Sequence, residues 1–264
     1  MEIYDYILEL EKRAKSASAA MNTASDETRR AVLLDLADRV EAASADILAA
    51  NALDLAAAAD NGVPTPMLDR LRLTDARLSG MAEAVRALAH LDDPVGGGKT
   101  WTTPAGLTIT ERRVPLGVVA MIFEARPNVT LDAAALCIRS GNAAVLRGGK
   151  EAIESGRAIC RAIGDALEAH GLPRDGVCFV ERTERAGADA LLTIRGYVDV
   201  LIPRGGKGLI RNVVDNAKVP TIETGAGNCH IYVEKTADFD MARRIIENAK
   251  VQRPAVCNAA ECLL

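Results

Sequence analysis

Cys257 is the residue of this chain best placed for nucleophilic chemistry. It closes the stretch Asn248-Ala-Lys-Val-Gln-Arg-Pro-Ala-Val-Cys257. Proline cannot continue a helix and restricts the residue before it, so Arg253-Pro254 ends a helical segment and starts a new path. A thiol just beyond such a turn can be exposed and held rigidly. Lys250 and Arg253 favour its negative form, and the thiolate is what attacks a carbonyl carbon. Taken alone, a cysteine is more often a small buried hydrophobe. The rest of the chain has to decide.

Two loops have the composition of anion sites. A strand over 143–146 runs into Arg147-Gly-Gly-Lys150 and then a helix, and a strand over 198–202 runs into Pro203-Arg-Gly-Gly-Lys207 and then another. Glycines let backbone N–H groups approach a phosphate, and a helix N-terminus adds positive potential. The plainer alternative is an ordinary strand–helix turn with a solvated lysine. Two such loops in one sheet favour an anionic cofactor held by Arg147, Gly148, Gly149, Lys150, Arg204, Gly205 and Gly206. Gly96-Gly-Gly-Lys-Thr100 is not a phosphate loop of the ATPase type, because its first glycine would fall on Asp93. Gly225-Ala-Gly227 has His230 where a dinucleotide fingerprint needs its last glycine.

The elements that must position these residues follow from periodicity. Residues 3–92 predict helices: an amphipathic one over 4–20, one capped by Ser25, an alanine-rich one over 43–59, and two more over 66–72 and 74–92. Alternation around Pro104-Ala-Gly106 predicts a hairpin over 96–113. It is read as a solvated flap or an arm that pairs with another subunit, with the arm favoured. From 116 onward strands and helices alternate, the last of these strands being over 219–222. That rhythm predicts a parallel sheet covered on both faces, with ligands beyond the strands' C-terminal ends. Cys229 and His230 fall in a further predicted strand and are read as core and structural.

Composition narrows the function classes. The chain has 264 residues, a formal net charge of −4 and 3% aromatics. That argues against nucleic acid, which needs a basic face and stacking platforms. No apolar run reaches the roughly 18 residues of a membrane span. The six cysteines form no C-x-x-C pair and predict reduced cytosolic thiols, not a disulfide framework or zinc site. The three histidines are too scattered for a metal centre.

The segments Ile122-Phe-Glu-Ala-Arg-Pro-Asn-Val-Thr130, Gly141-Asn-Ala-Ala-Val-Leu-Arg-Gly-Gly-Lys150, Leu201-Ile-Pro-Arg-Gly-Gly206, Glu223-Thr-Gly-Ala-Gly-Asn-Cys-His230 and Gln252-Arg-Pro-Ala-Val-Cys-Asn258 carry a resemblance. Together, in order and over essentially the whole chain, they resemble the gamma-glutamyl phosphate reductases of the aldehyde dehydrogenase superfamily. The resemblance implies an α/β, aldehyde-dehydrogenase-like fold: a Rossmann-type parallel sheet preceded by a helical segment, with a β-hairpin arm. It implies a cofactor-binding domain over 1–95 and 114–248, an oligomerisation hairpin over 96–113, and the start of a truncated catalytic domain over 249–264. Family members continue well past the nucleophile, so the chain is expected to be a shortened form.

The activity implied is NADPH-dependent reduction of L-glutamate 5-phosphate to the 5-semialdehyde through a cysteine thioester, in proline biosynthesis in the cytoplasm. The implied partners are a glutamate 5-kinase that hands over the acyl phosphate and further copies of the chain. Cys257 falls on the nucleophile, and Asn128 on the oxyanion-hole asparagine. Lys150 falls where NAD-preferring relatives carry an acidic residue. Gly205 and Gly206 fall on the pyrophosphate loop, and Thr224 and Gly225 join the cofactor set. Glu223 falls where hydrolytic relatives keep a general base; here it orients the nicotinamide, tunes Cys257 or caps a strand. Arg126 binds a substrate carboxylate or phosphate, or forms a buried structural pair. Two alternatives stand beside this activity: an oxidative NAD(P)-dependent aldehyde dehydrogenase, and a non-catalytic cofactor-binding fragment.

Overall fold

The computed structural model of the chain describes residues 1–223, 225, 227–252, 254 and 256–264, without the side chain of Pro66. Its residues fall into two compact units, 1–223 and 224–264. The division lies upstream of the 248/249 boundary expected from the sequence.

The first unit opens with five helices: α1 (Ile3–Thr23), α2 (Asp26–Ala42), α3 (Ser44–Asp60), α4 (Thr65–Leu71) and α5 (Asp75–Ala89). The Ser25 hydroxyl accepts the Thr28 N–H and caps α2, as its position predicts. A hairpin follows, β1 (Thr100–Thr102) and β2 (Thr108–Thr110), with Trp101 opposite Ile109 and every strand residue exposed. Its stem continues outward through the pairing of Gly96 with Arg113. Gly98 is obligatory there, because a Cβ would lie 1.8 Å from the Glu111 carbonyl oxygen.

The sheet is built from β3 (Val118–Phe123), β4 (Ala143–Arg147), β5 (Val177–Phe179) and β6 (Val200–Arg204), all parallel, in the order β5-β4-β3-β6. Helices α6 (Pro127–Arg139), α7 (Ile153–Ala169), α8 (Arg185–Thr193) and α9 (Lys207–Asn216) connect and follow the strands. Five of the six β3 residues are buried, the continuous apolar run a doubly covered parallel strand requires. The helical layer shares this core: Leu33, Leu36 and Ile47 pack in one cluster with Ile122, Leu131 and Leu146. The expected strand over 219–222 shrinks to a single bridge between Thr221 and Leu201. Pro220 has no N–H to donate, so the ladder cannot extend through it.

The strand order reverses at β3. β4 and β5 build out to one side and β6 to the other, which opens the crevice where such sheets bind ligands. Asp199, at the entry to β6, locks this point. Its carboxylate accepts the Val118 N–H at 2.7 Å and pairs with the Lys15 ammonium at 2.7 Å, tying α1 to the sheet.

Glu11 of α1 is fully buried, and neither carboxylate oxygen has a hydrogen-bond partner. Burial pushes its pKa up to about 8 from an ordinary 4.5. The folded chain therefore holds a proton that the unfolded chain has lost. Stability from this group is full below the ordinary value and falls as pH rises toward 8, by on the order of 3 kcal/mol at neutral pH. Glu11→Gln, which cannot ionise, is expected to flatten that decline. Its melting temperature should exceed that of the parent more at about pH 8 than at about pH 5. An unchanged pH slope in thermal denaturation would contradict a buried neutral Glu11.

The second unit pairs β7 (Cys229–Ile231) with β8 (Ala260–Leu263) in parallel, joined through α10 (Phe239–Val251). The Asp238 carboxylate accepts the Met241 N–H and caps α10. Cys229 is half-buried and His230 exposed, so the expected core position of Cys229 is corrected. A ribbon of two short strands is too narrow to enclose side chains on both faces.

Candidate active site

Both glycine loops close on the segment that leaves β3. A Cβ on Gly148 would meet the Phe123 ring at 3.2 Å, and one on Gly149 would lie 2.8 Å from the Ala125 nitrogen. A Cβ on Gly205 would lie 2.8 Å from the Glu124 carboxyl carbon. The glycines are therefore required by close approach within the chain, before any ligand is considered.

The two helix N-termini differ in what fills them. At α7 the Asp54 carboxylate of α3 accepts the Glu154 N–H at 3.1 Å, the Ser155 N–H at 2.8 Å and the Ser155 hydroxyl at 2.6 Å. That N-terminus already holds a carboxyl group, and burial holds Asp54 above the usual carboxylate range. The loop before it offers the exposed Lys150 side chain, on a cavity of about 470 Å³ shared with Leu53, Val63, Glu151 and Glu154. Arg147 turns away, donating to the Glu184 carbonyl at 3.2 Å. At α9 the Gly206 N–H donates at 2.7 Å to Glu124, which is itself exposed. An anionic oxygen thus already sits on that N–H, and the donor suits a phosphate oxygen. Arg204, opposite Phe123 in the sheet register, is exposed beside it.

Asn128 stands in the first turn of α6, where one amide hydrogen goes to the Asp132 carboxylate at 2.9 Å. Burial holds Asp132 above the usual carboxylate range. An amide nitrogen carries two hydrogens, so Asn128 keeps a second for another acceptor. Arg126 is half-buried at the N-cap of α6 and lines a small cavity of about 90 Å³ with Arg70, Glu124 and Glu151. Glu223 is exposed.

Cys257 is exposed on the turn between α10 and β8. Two contacts from the 227–229 segment hold this turn. A Cβ on Gly227 would fall 1.7 Å from the Cys257 carbonyl oxygen, so only glycine lets the backbones meet. The Cys229 thiol lies 3.6 Å from that same oxygen and donates to it. Lys250 donates from the end of α10 to the Ala260 carbonyl at 2.8 Å, which closes the turn from its other side. Gly225 is exposed. Thr224 and Arg253, both expected to contribute, lie outside the described residues. Three other thiols are unsuited to attack: burial pushes Cys137 and Cys178 up to about 12 and holds Cys160 far above the usual thiol range. Among the described residues no group of three or more His, Cys, Asp or Glu side chains is placed to hold a metal. Nor, among them, is any single helix long and apolar enough to cross a membrane.

Sequence reasoning missed Asp54, Glu124, Gly227 and the contact of Cys229. Glu124 was findable, because it stands at the C-terminal end of the central strand. The others act across distances in sequence that no local pattern reports.

The first unit holds a parallel sheet with its switch point at β3 and two glycine loops beyond its strand ends, and the second holds an exposed cysteine on a turn. The aldehyde dehydrogenase family model matches residues 7–264, and the chain belongs to that family. Within it the chain is similar to proteins named gamma-glutamyl phosphate reductase. That of Clostridium acetobutylicum is 49% identical over all of this chain and 63% of its own length, and that of Heliobacterium modesticaldum is 51% identical over all of this chain and 64% of its own. The crystal structure of the Thermotoga maritima gamma-glutamyl phosphate reductase superposes with a TM-score of 0.91 at 41% identity, covering 97% of this chain and 62% of that one. The chain thus spans somewhat under two thirds of the length of these relatives.

Proposed function

We propose that the chain carries the cofactor site and nucleophile of an NADPH-dependent reductase that converts L-glutamate 5-phosphate to L-glutamate 5-semialdehyde and phosphate. The observation that carries this reading is Cys257, exposed on a turn held by Gly227, Cys229 and Lys250. About half of the residues are identical to those of relatives bearing that enzyme's name.

In this mechanism the Cys257 thiolate attacks the acyl carbon and phosphate leaves as a stable anion, so no general acid is obligatory. The resemblance assigns Asn128 and the Cys257 N–H to the oxyanion, and one such donor is typically worth about 3 kcal/mol. NADPH, when bound, supplies the hydride that reduces the acyl group. Gly205 and Gly206 at the start of α9 would hold its pyrophosphate and Lys150 its 2′-phosphate. Gly148 and Gly149 let the loop that carries Lys150 close on Phe123 and Ala125, and Arg204, Thr224 and Gly225 complete the set. Arg126 is assigned to the substrate's anionic groups. Glu223 has no hydrolytic task here, because water need not attack.

The wider assignments rest on the same reading: a cytoplasmic role in proline biosynthesis, supply of the labile acyl phosphate by a glutamate 5-kinase, and self-association through the 96–113 hairpin.

Lys150→Glu tests the cofactor assignment. A carboxylate in place of the ammonium is expected to weaken NADPH by about tenfold to a hundredfold while sparing NADH. Fluorescence titration of both cofactors measures it. An unchanged ratio of the two affinities would remove Lys150 from the site.

A further inference from the structure

The Cys229 thiol donates to the main-chain carbonyl of Cys257. Gly227, two residues before it, abuts the Cys257 peptide so closely that a built Cβ would lie 3.4 Å from the Cys257 α-carbon. Two thiols of one small unit are thus anchored to the same peptide group. Cys257 is exposed and Cys229 half-exposed, whereas Cys137 and Cys178 are sealed in the core. The turn that carries Cys257 lies outside α10 and β8.

We propose that Cys229 is the resolving thiol of Cys257: a peroxide oxidises Cys257, and Cys229 captures it in a reversible disulfide. The Cys257 thiolate attacks one peroxide oxygen and the O–O bond breaks. Sulfur gives up two electrons and becomes a sulfenic acid, and the other oxygen leaves as hydroxide or alkoxide. The Cys229 sulfur then attacks the sulfenic sulfur, the S–S bond forms, and the sulfenic oxygen leaves as water with the thiol proton. A dithiol reductant restores both thiols. Without a neighbouring thiol, the same sulfenic acid climbs to sulfinic and sulfonic acids, which such reductants do not reverse. The inference needs Cys257 to be an accessible thiol and is independent of the reductase reading.

The test treats the full chain with hydrogen peroxide, blocks remaining thiols with iodoacetamide, and maps peptides by mass spectrometry before and after dithiothreitol. The expected product is a Cys229–Cys257 cross-linked peptide within one chain, with Cys257 alkylation restored by the reductant. In Cys229→Ser the cross-link should vanish, and Cys257 should accumulate as sulfinic and sulfonic acids that dithiothreitol leaves untouched. Cys262→Ser should behave as the parent. The parent alone can overturn the inference: irreversible oxidation of Cys257 with no cross-link, or a cross-link to Cys262 or between chains, would do so whether or not the variants fold.

Discussion

Cys257→Ala is expected to abolish reductase turnover, by about 10⁴-fold or more, while NADPH binds as before. The effect is large because the variant removes the atom that forms the thioester and leaves no alternative nucleophile on the turn. Most of the proposed cofactor residues belong to other elements, the loops after β4 and β6, so cofactor affinity should not follow. Steady-state kinetics and fluorescence titration of one preparation, in a form of its relatives' length, measure both. Turnover retained within a few fold would refute the covalent route.

Gly227→Ala is the second large effect, and it acts without touching a reacting atom. The added methyl group would fall 1.7 Å from the Cys257 carbonyl oxygen, far inside contact distance. The obstacle is backbone, not the far end of a flexible side chain, so the Cys257 turn has to move. A displacement near 1 Å at a reacting centre can cost about 10²-fold, and kcat is expected to fall by at least that much. The helical layer and main sheet belong to the first unit and carry most of the apolar core, so the main melting transition should stay close to that of the parent. A kcat within about threefold of the parent would mean that the close approach does not position the nucleophile.

The legible parts of the fold were those with local causes. The β3 run reads as a buried parallel strand because its side chains are apolar on both faces, and the structure buries it so. Ser25 reads as a cap because its hydroxyl reaches only three residues along the chain. The 219–222 segment misled because its apolar pattern suggests a strand, whereas Pro220 interrupts the donors that a ladder needs. Cys229 misled in the same way, since alternation reports which face a side chain takes and not whether anything covers it.

The candidate site was legible as a set of residue types and much less so as an arrangement. Two glycine loops pointed to anions, but nothing in 147–151 reports that Asp54, about a hundred residues earlier, already fills the N-terminus of α7. Glu124 sits in a quoted motif, yet its hold on the Gly206 N–H appears only once β3 and β6 are neighbours. Lys250 was expected to favour the thiolate, and it holds the Ala260 carbonyl. Long-range polar contacts of this kind carry no sequence period.

The most direct test of the central claim is the reverse reaction: reduction of NADP⁺ with glutamate 5-semialdehyde, with and without inorganic phosphate, on this chain and on a form of its relatives' length. The account predicts steady-state NADPH formation, beyond one equivalent per Cys257, that depends on phosphate, because phosphate must attack the Cys257 thioester to free the thiol for the next turnover. NADPH formation at the same rate without phosphate would contradict it, since water would then be resolving the thioester as in an ordinary aldehyde dehydrogenase.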